Sequence, residues 1–171
     1  MKFTCEYKYD GLRGQIHYNN GKCQIFSRNL ENMTQTYPDI VEFVLNSTNP
    51  EVKNFIIDSE IVAINTVTQK ILPFQQLATR SRKNVDKSTI EIQVCLYVFD
   101  IIYINDTSLL KTPFVERRKV LAENMKEVDN KLKFAEHLDT DSFDEIQEFL
   151  AQSVKGKFFF CEEIGENNLF E

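Results

Sequence analysis

The stretch Val94–Ile104 reads Val-Cys-Leu-Tyr-Val-Phe-Asp-Ile-Ile-Tyr-Ile, β-branched and aromatic almost throughout with a single charge at Asp100. It is too short to cross a bilayer, which takes about 20 apolar residues. Its density of Val, Ile and aromatic residues predicts a strand covered on both faces. A chain with such a strand must supply further layers to bury it. Strict alternation puts Phe99 and Asp100 on opposite faces. A carboxylate buried without a partner costs several kcal/mol, so Asp100 has to meet a cation. Phe99 in such a run serves either as core or as a platform on which a ligand stacks.

The first third of the chain alternates as an antiparallel sheet does. Residues 3–9 read as a strand closed by a turn at Gly11, and 14–18 with 22–27 as a hairpin across Asn19-Asn20-Gly21. Tyr37-Pro38-Asp39 opens a short amphipathic helix to about Leu45, because proline fits a first helical turn whose N–H is not needed. Residues 54–64 form a second strong strand; a short helix over 74–79 and a basic loop that reads as solvated, Arg80-Ser81-Arg82-Lys83, follow. Beyond the long strand come a helix from Thr112-Pro113 to about Met125, a strand at 132–135, and a helix begun by Ser142 with Glu145 as its capping-box partner. A last strand is expected at 157–164. Strands and helices do not alternate regularly, so the class is α+β rather than doubly wound.

Length and charge narrow the function. A chain of 171 residues holds one domain, and 42% hydrophobic residues with only 5 Gly and 4 Pro exclude disorder and fibre. Neither a membrane-spanning run nor a signal-peptide core is visible, so the expectation is a soluble intracellular protein. The net charge of −6 opposes long-range attraction to nucleic acid, leaving any such contact to local basic patches. Cys5, Cys23, Cys95 and Cys161 lie far apart, and with only His17 and His137 beside them they make no zinc pattern; they read as reduced thiols.

Two clusters could carry chemistry. Alternation sets Glu6, Lys8 and Asp10 on one face of the first strand, ahead of Gly11. This is either a solvated strand end or a lysine nucleophile at a turn where glycine lets backbone approach a ligand. In the second strand Asp58 and Glu60 share a face with Ile56 and Val62. Two carboxylates there require a salt bridge, or else a magnesium ion, which takes carboxylate oxygen together with phosphate and water.

Together these segments resemble the adenylation (nucleotidyltransferase) domain of eukaryotic ATP-dependent DNA ligases of the replicative type. Glu6-Tyr7-Lys8-Tyr9-Asp10-Gly11-Leu12-Arg13 is similar to the family's Lys-x-Asp-Gly-x-Arg nucleophile motif with its flank. The likeness continues through Phe26-Ser27-Arg28-Asn29, Tyr37-Pro38-Asp39, Phe55-Ile56-Ile57-Asp58-Ser59-Glu60, Pro73-Phe74-Gln75-Gln76-Leu77, Val94–Asp100 and Phe149–Lys155. It implies an ATP-grasp-like fold of antiparallel sheets flanked by helices, incomplete at the C-terminus, with residues 1–157 a partial adenylation domain and 158–171 a divergent tail. It further implies that Lys8 attacks the α-phosphate of ATP to form a lysyl-AMP, which passes to the 5′-phosphate of nicked duplex DNA. Glu6 would lie near the adenine, Phe99 would stack on it, and Arg13 and Arg28 would bind phosphate, ribose or the nicked strand. Glu60 would meet the ribose or Mg2+, and Glu162 a metal. A monomer acting in the nucleus, without a membrane, completes the expectation.

After Lys155 the family's Glu-Gly, three apolar residues and a lysine give way to Phe158-Phe159-Phe160-Cys161-Glu162-Glu163-Ile164-Gly165-Glu166-Asn167. The chain alone is therefore expected not to seal nicks and to adenylate itself barely if at all. A non-catalytic truncated remnant is the alternative, and an RNA ligase or capping-type nucleotidyltransferase a further one.

Overall fold

The computed structural model describes residues 3–80, 85, 90–155 and 161–165, with Lys155 and 161–165 described by backbone alone. Among these, ten strands and four helices follow in the order β1 Phe3–Tyr7, β2 Leu12–Asn19, β3 Lys22–Phe26, α1 Pro38–Ser47, β4 Asn54–Asn65, β5 Lys70–Ile71, α2 Phe74–Ala78, β6 Val94–Ile104, β7 Thr107–Ser108, α3 Phe114–Asn124, β8 Leu132–Phe134, β9 His137–Thr140, α4 Phe143–Lys155 and β10 Cys161–Gly165. They form two sheets. The larger runs β3-β2-β4-β6-β7, with β5 on β4 and β8 on β6; the smaller runs β10-β1-β9. All pairings are antiparallel except β6 with β8. The one parallel pair departs from the antiparallel sheets expected, and α3 is the crossover that parallel pairing requires.

The long strand is the centre of the molecule. Leu96, Val98 and Ile101 of β6 and Ile57 and Ile61 of β4 are buried, and with Ile16, Ile25, Ile40, Val44, Phe55 and Leu132 they make the main core. Burial of this kind is worth about 1.5–3 kcal/mol per large aliphatic side chain, which is what binds α1 and α2 to the sheet. A second, smaller core lies on the opposite face, where Tyr9, Val62, Ile64, Cys95 and Ala135 gather Tyr7, Tyr97 and Phe99. It joins the two sheets.

Three expectations change. β1 ends at Tyr7, two residues early, so Glu6 is buried while Lys8 and Asp10 stand exposed on the turn; they do not share a strand face. Arg80 belongs to no solvated loop: its guanidinium donates to both oxygens of Asp39 at 3.0 and 2.6 Å and to the Ile92 carbonyl at 3.1 Å. Arg82 and Lys83 lie outside the described residues. At α4 the capping box is half formed. Ser142 Oγ accepts from the Glu145 N–H at 3.4 Å, but the Glu145 carboxylate takes the Thr140 hydroxyl instead of the Ser142 backbone. The described cysteines, Cys5, Cys23 and Cys95, are free and buried, and burial pushes the Cys23 and Cys95 thiols up to about 12.

Candidate active site

Register determines which side chains meet. Across β2, β4 and β6 the residues Arg13, Glu60 and Tyr97 lie in one row, and Gln15, Asp58 and Asp100 in the next. The β4–β6 register slips between Asp58 and Ser59, so Val98 faces Ser59, Asp100 faces Asp58, and Phe99 is left over as a bulge. Hence Phe99 and Asp100 both belong to the face of Glu60 and Val62, where strict alternation separates them. Phe99 packs there beside Tyr97 and Val62 at the edge of the second core, half-buried.

Each aspartate of that row has its own arginine. Arg13 Nη2 and Nε donate to Asp58 at 2.9 and 3.4 Å, and Gln15 Nε2 reaches the same carboxylate at 3.4 Å. Arg117 from α3 grips Asp100 through Nε and Nη2 at 2.8 and 2.9 Å, fully inside the molecule. The paired carboxylates read from β4 thus divide. Asp58 takes the salt bridge. For Glu60, no cation lies within ion-pair distance among the described residues.

Glu60 is the electrostatically loaded group. Burial raises its carboxyl to about 7, against the Gly11 N–H that donates to it and the charges of Arg13 and Lys8, with Asp10 raising it further. The Gly11 turn is pressed onto β4 so closely that a Cβ on Gly11 would sit 2.3 Å from the Ile61 carbonyl oxygen and 3.0 Å from Glu60 Cγ. A side chain at position 11 would lift the turn; glycine lets it lie flat and bring Lys8 toward Glu60. Beside the lysine, Tyr9 stacks on Tyr97 with ring centroids 4.0 Å apart, and its hydroxyl accepts from the Glu136 N–H at 3.1 Å. The turn is therefore anchored on both sides of an exposed amine.

The structure brings Lys8, Arg13, Glu60 and Phe99 to one face and leaves the other expected residues apart. Glu6 points into an ion pair with Arg118 of α3, its side chain 10% exposed. Arg28 stands exposed on the loop after β3, with no described contact to Lys8 or Glu60. Glu162 pairs its backbone with Glu6, but its side chain lies outside the described residues. Sequence reading did not find Tyr9, Arg118, or Asp58 as the holder of Arg13. Only the Asp58–Glu60 spacing signalled any of these, and it could not say which carboxylate is bridged.

A family model described as an ATP dependent DNA ligase domain matches residues 1–158. The chain belongs to the ATP-dependent DNA ligase domain family. It is 52% identical over 157 residues to DNA ligase 1 of Drosophila melanogaster and 48% identical over 154 residues to DNA ligase 1 of Schizosaccharomyces pombe. Those matches cover 91% and 90% of this chain but 21% and 20% of the relatives, so it spans about a fifth of their length. Among solved structures, a mycobacterial DNA ligase D complexed with ATP and MES superposes with a TM-score of 0.72 at 21% identity, covering 98% of this chain and 49% of that one. The bacteriophage T7 ATP-dependent DNA ligase, in complex with ATP, gives 0.57 at 17% identity, covering 95% and 56%. These two likenesses support the fold.

Proposed function

We propose that this chain supplies the lysine-adenylating part of a DNA ligase that, in its full-length form, seals nicks in duplex DNA. The observation that carries the reading is the meeting of Lys8, Arg13 and Glu60 on one open face, held there by the Gly11 turn. In the proposed step the Lys8 amine, with its lone pair free, attacks the α-phosphorus of ATP. A phosphorus–nitrogen bond forms, the bond to the bridging oxygen breaks, and pyrophosphate leaves with the electron pair while the amine loses its proton. Arg13 is suited to the phosphates because Asp58 fixes one edge of its guanidinium and its side chain stays 43% exposed. Phe99 offers an aromatic edge for the base.

The donor set fits Mg2+. No group of three or more His, Cys, Asp or Glu that could hold a metal occurs among the described residues. Magnesium, however, is commonly held by one or two carboxylates together with substrate phosphates. Glu60, desolvated and outside any close ion pair, is the candidate ligand; when bound, the ion would neutralise charge on the transferring phosphate. A nuclear location and a monomeric state belong to the same proposal for the parent enzyme.

The cations whose charge bears on Glu60 are Arg13 and Lys8. Removing a donor to a transferring phosphate costs on the order of 3–4 kcal/mol in the barrier, so Arg13→Ala should slow adduct formation by about a hundredfold to a thousandfold. Incubation with Mg2+ and α-phosphate-labelled ATP tests the reading: a slowly formed, acid-labile protein adduct that Lys8→Ala abolishes supports it. A folded chain that forms no adduct over long incubation, or forms one indifferent to Lys8→Ala, rejects it.

A further inference from the structure

Neighbouring residues of an α-helix point about 100° apart, and α3 uses that angle to hold both sheets. Arg117 turns to the larger sheet, where it grips Asp100 at 2.8 and 2.9 Å and donates to the Thr112 carbonyl at 2.7 Å. Arg118 turns to the smaller sheet, pairing with Glu6 on β1 and standing 3.9 Å from Asp139 Oδ1 on β9. That same Asp139 oxygen accepts the Thr4 hydroxyl of β1 at 2.8 Å. Phe114, one turn back on α3, lies 5.3 Å from the Arg117 guanidinium and 4.7 Å from that of Arg118.

Among the described residues, the other contacts that set the height of the smaller sheet over the larger one are the Gly11 turn pressed onto β4, the Tyr9–Tyr97 stack and the half-buried aromatics at the edge of the second core. Glu6 lies two residues before Lys8, and β1 ends at the residue between them. Whatever holds Glu6 therefore fixes where the turn begins. Arg118 is 12% exposed at its side chain, so the pair is largely sealed from water and screening is weak. Without Arg118 the Glu6 carboxylate would be left buried and uncompensated, and the cheapest relief is for the end of β1 to move outward and hydrate it.

We propose that Arg118 is a positioning residue for Lys8: by holding Glu6 it holds the end of β1 against α3, and so presents the amine to the face of Arg13 and Glu60. The proposal rests on the reading of Lys8 as the adenylated group, and two readouts separate them. Hydrogen exchange of the full chain reports the hold on β1 without any chemistry. The time course of Lys8 adduct formation across ATP concentrations reports its consequence.

In Arg118→Met, amides of residues 4–7 should exchange about tenfold faster while those of 58–61 stay within about twofold. Adenylation at saturating ATP should fall roughly tenfold to a hundredfold, as expected for an ångström-scale displacement of the attacking atom. The ATP concentration for half-maximal rate should move less than about threefold, because the nucleotide's own contacts remain. Arg118→Lys, which keeps the charge but not the fork, should recover part of both. It also serves should the methionine variant fail to fold. Unchanged exchange in β1, or a loss expressed entirely as weaker ATP dependence, would overturn the positioning role. If the unaltered chain forms no Lys8 adduct, the nucleophile reading falls and takes this role with it, while the exchange data still decide whether α3 holds β1.

Discussion

The two sheets present the same site by different physical means. The larger carries Arg13 and Glu60 on β2 and β4, strands braced by a continuous core and by the buried Asp100–Arg117 pair. The smaller carries Glu6 and leads into Lys8 with few buried apolar contacts of its own, borrowing rigidity from α3 through Arg118 and from β6 through the Tyr9–Tyr97 stack. Groups that must stay put are built into the core; the amine that must reach a substrate is mounted on a short, separately tethered strand. Loss of a brace should accordingly unfold the first region but only misplace the second.

The largest expected effect tests the first half of that contrast. Asp100→Ala leaves the fully buried Arg117 guanidinium without its carboxylate and should cost about 3–5 kcal/mol in urea denaturation. A loss under about 1 kcal/mol would mean the larger sheet does not depend on that pair.

Gly11→Ala comes next, and acts where the two regions touch. With a Cβ only 2.3 Å from the Ile61 carbonyl, the turn must lift, at a cost of about 1–3 kcal/mol. The amine moves with it, so adduct formation should fall by more than the stability change alone explains.

A pH titration of stability sharpens the comparison further. The Glu60 carboxyl is raised from 4.5 to about 7 in the folded chain. Between those values the folded state keeps a proton that the unfolded state has released, so stability of the metal-free chain should fall as pH rises from about 4.5 to 7 and level off above. The expected fall is roughly 1–3 kcal/mol, and Glu60→Gln should flatten it. A slope that survives the substitution would assign the titration elsewhere. Smallest of all, Asp139→Ala removes a half-exposed partner from the smaller sheet and should cost under about 1 kcal/mol, with thermal unfolding nearly unmoved.

Much of this was legible in the residues. The β6 run, the Asn20-Gly21 hairpin, the Pro38 helix start and the Asp58–Glu60 pair follow from local propensity and period, and the structure has them where the pattern puts them. What was not legible depends on register and on distant partners. One extra residue in β6 turned Asp100 onto the face that Phe99 shares with Glu60, which alternation cannot foresee. Arg80 looked solvated because its partner, Asp39, lies 41 residues away, and Arg13 is joined to Asp58 across 45. The early end of β1 at Tyr7 has the same origin: Tyr9 leaves the strand to stack on Tyr97, a contact between sheets rather than a property of the segment.

Peptide mapping of the chain after long incubation with Mg2+ and ATP bears on all of this at once. One adenylyl group, on the peptide that contains Lys8 and on no other, is the predicted result. A modified residue elsewhere, or an unmodified Lys8 in a chain shown to be folded, would contradict it.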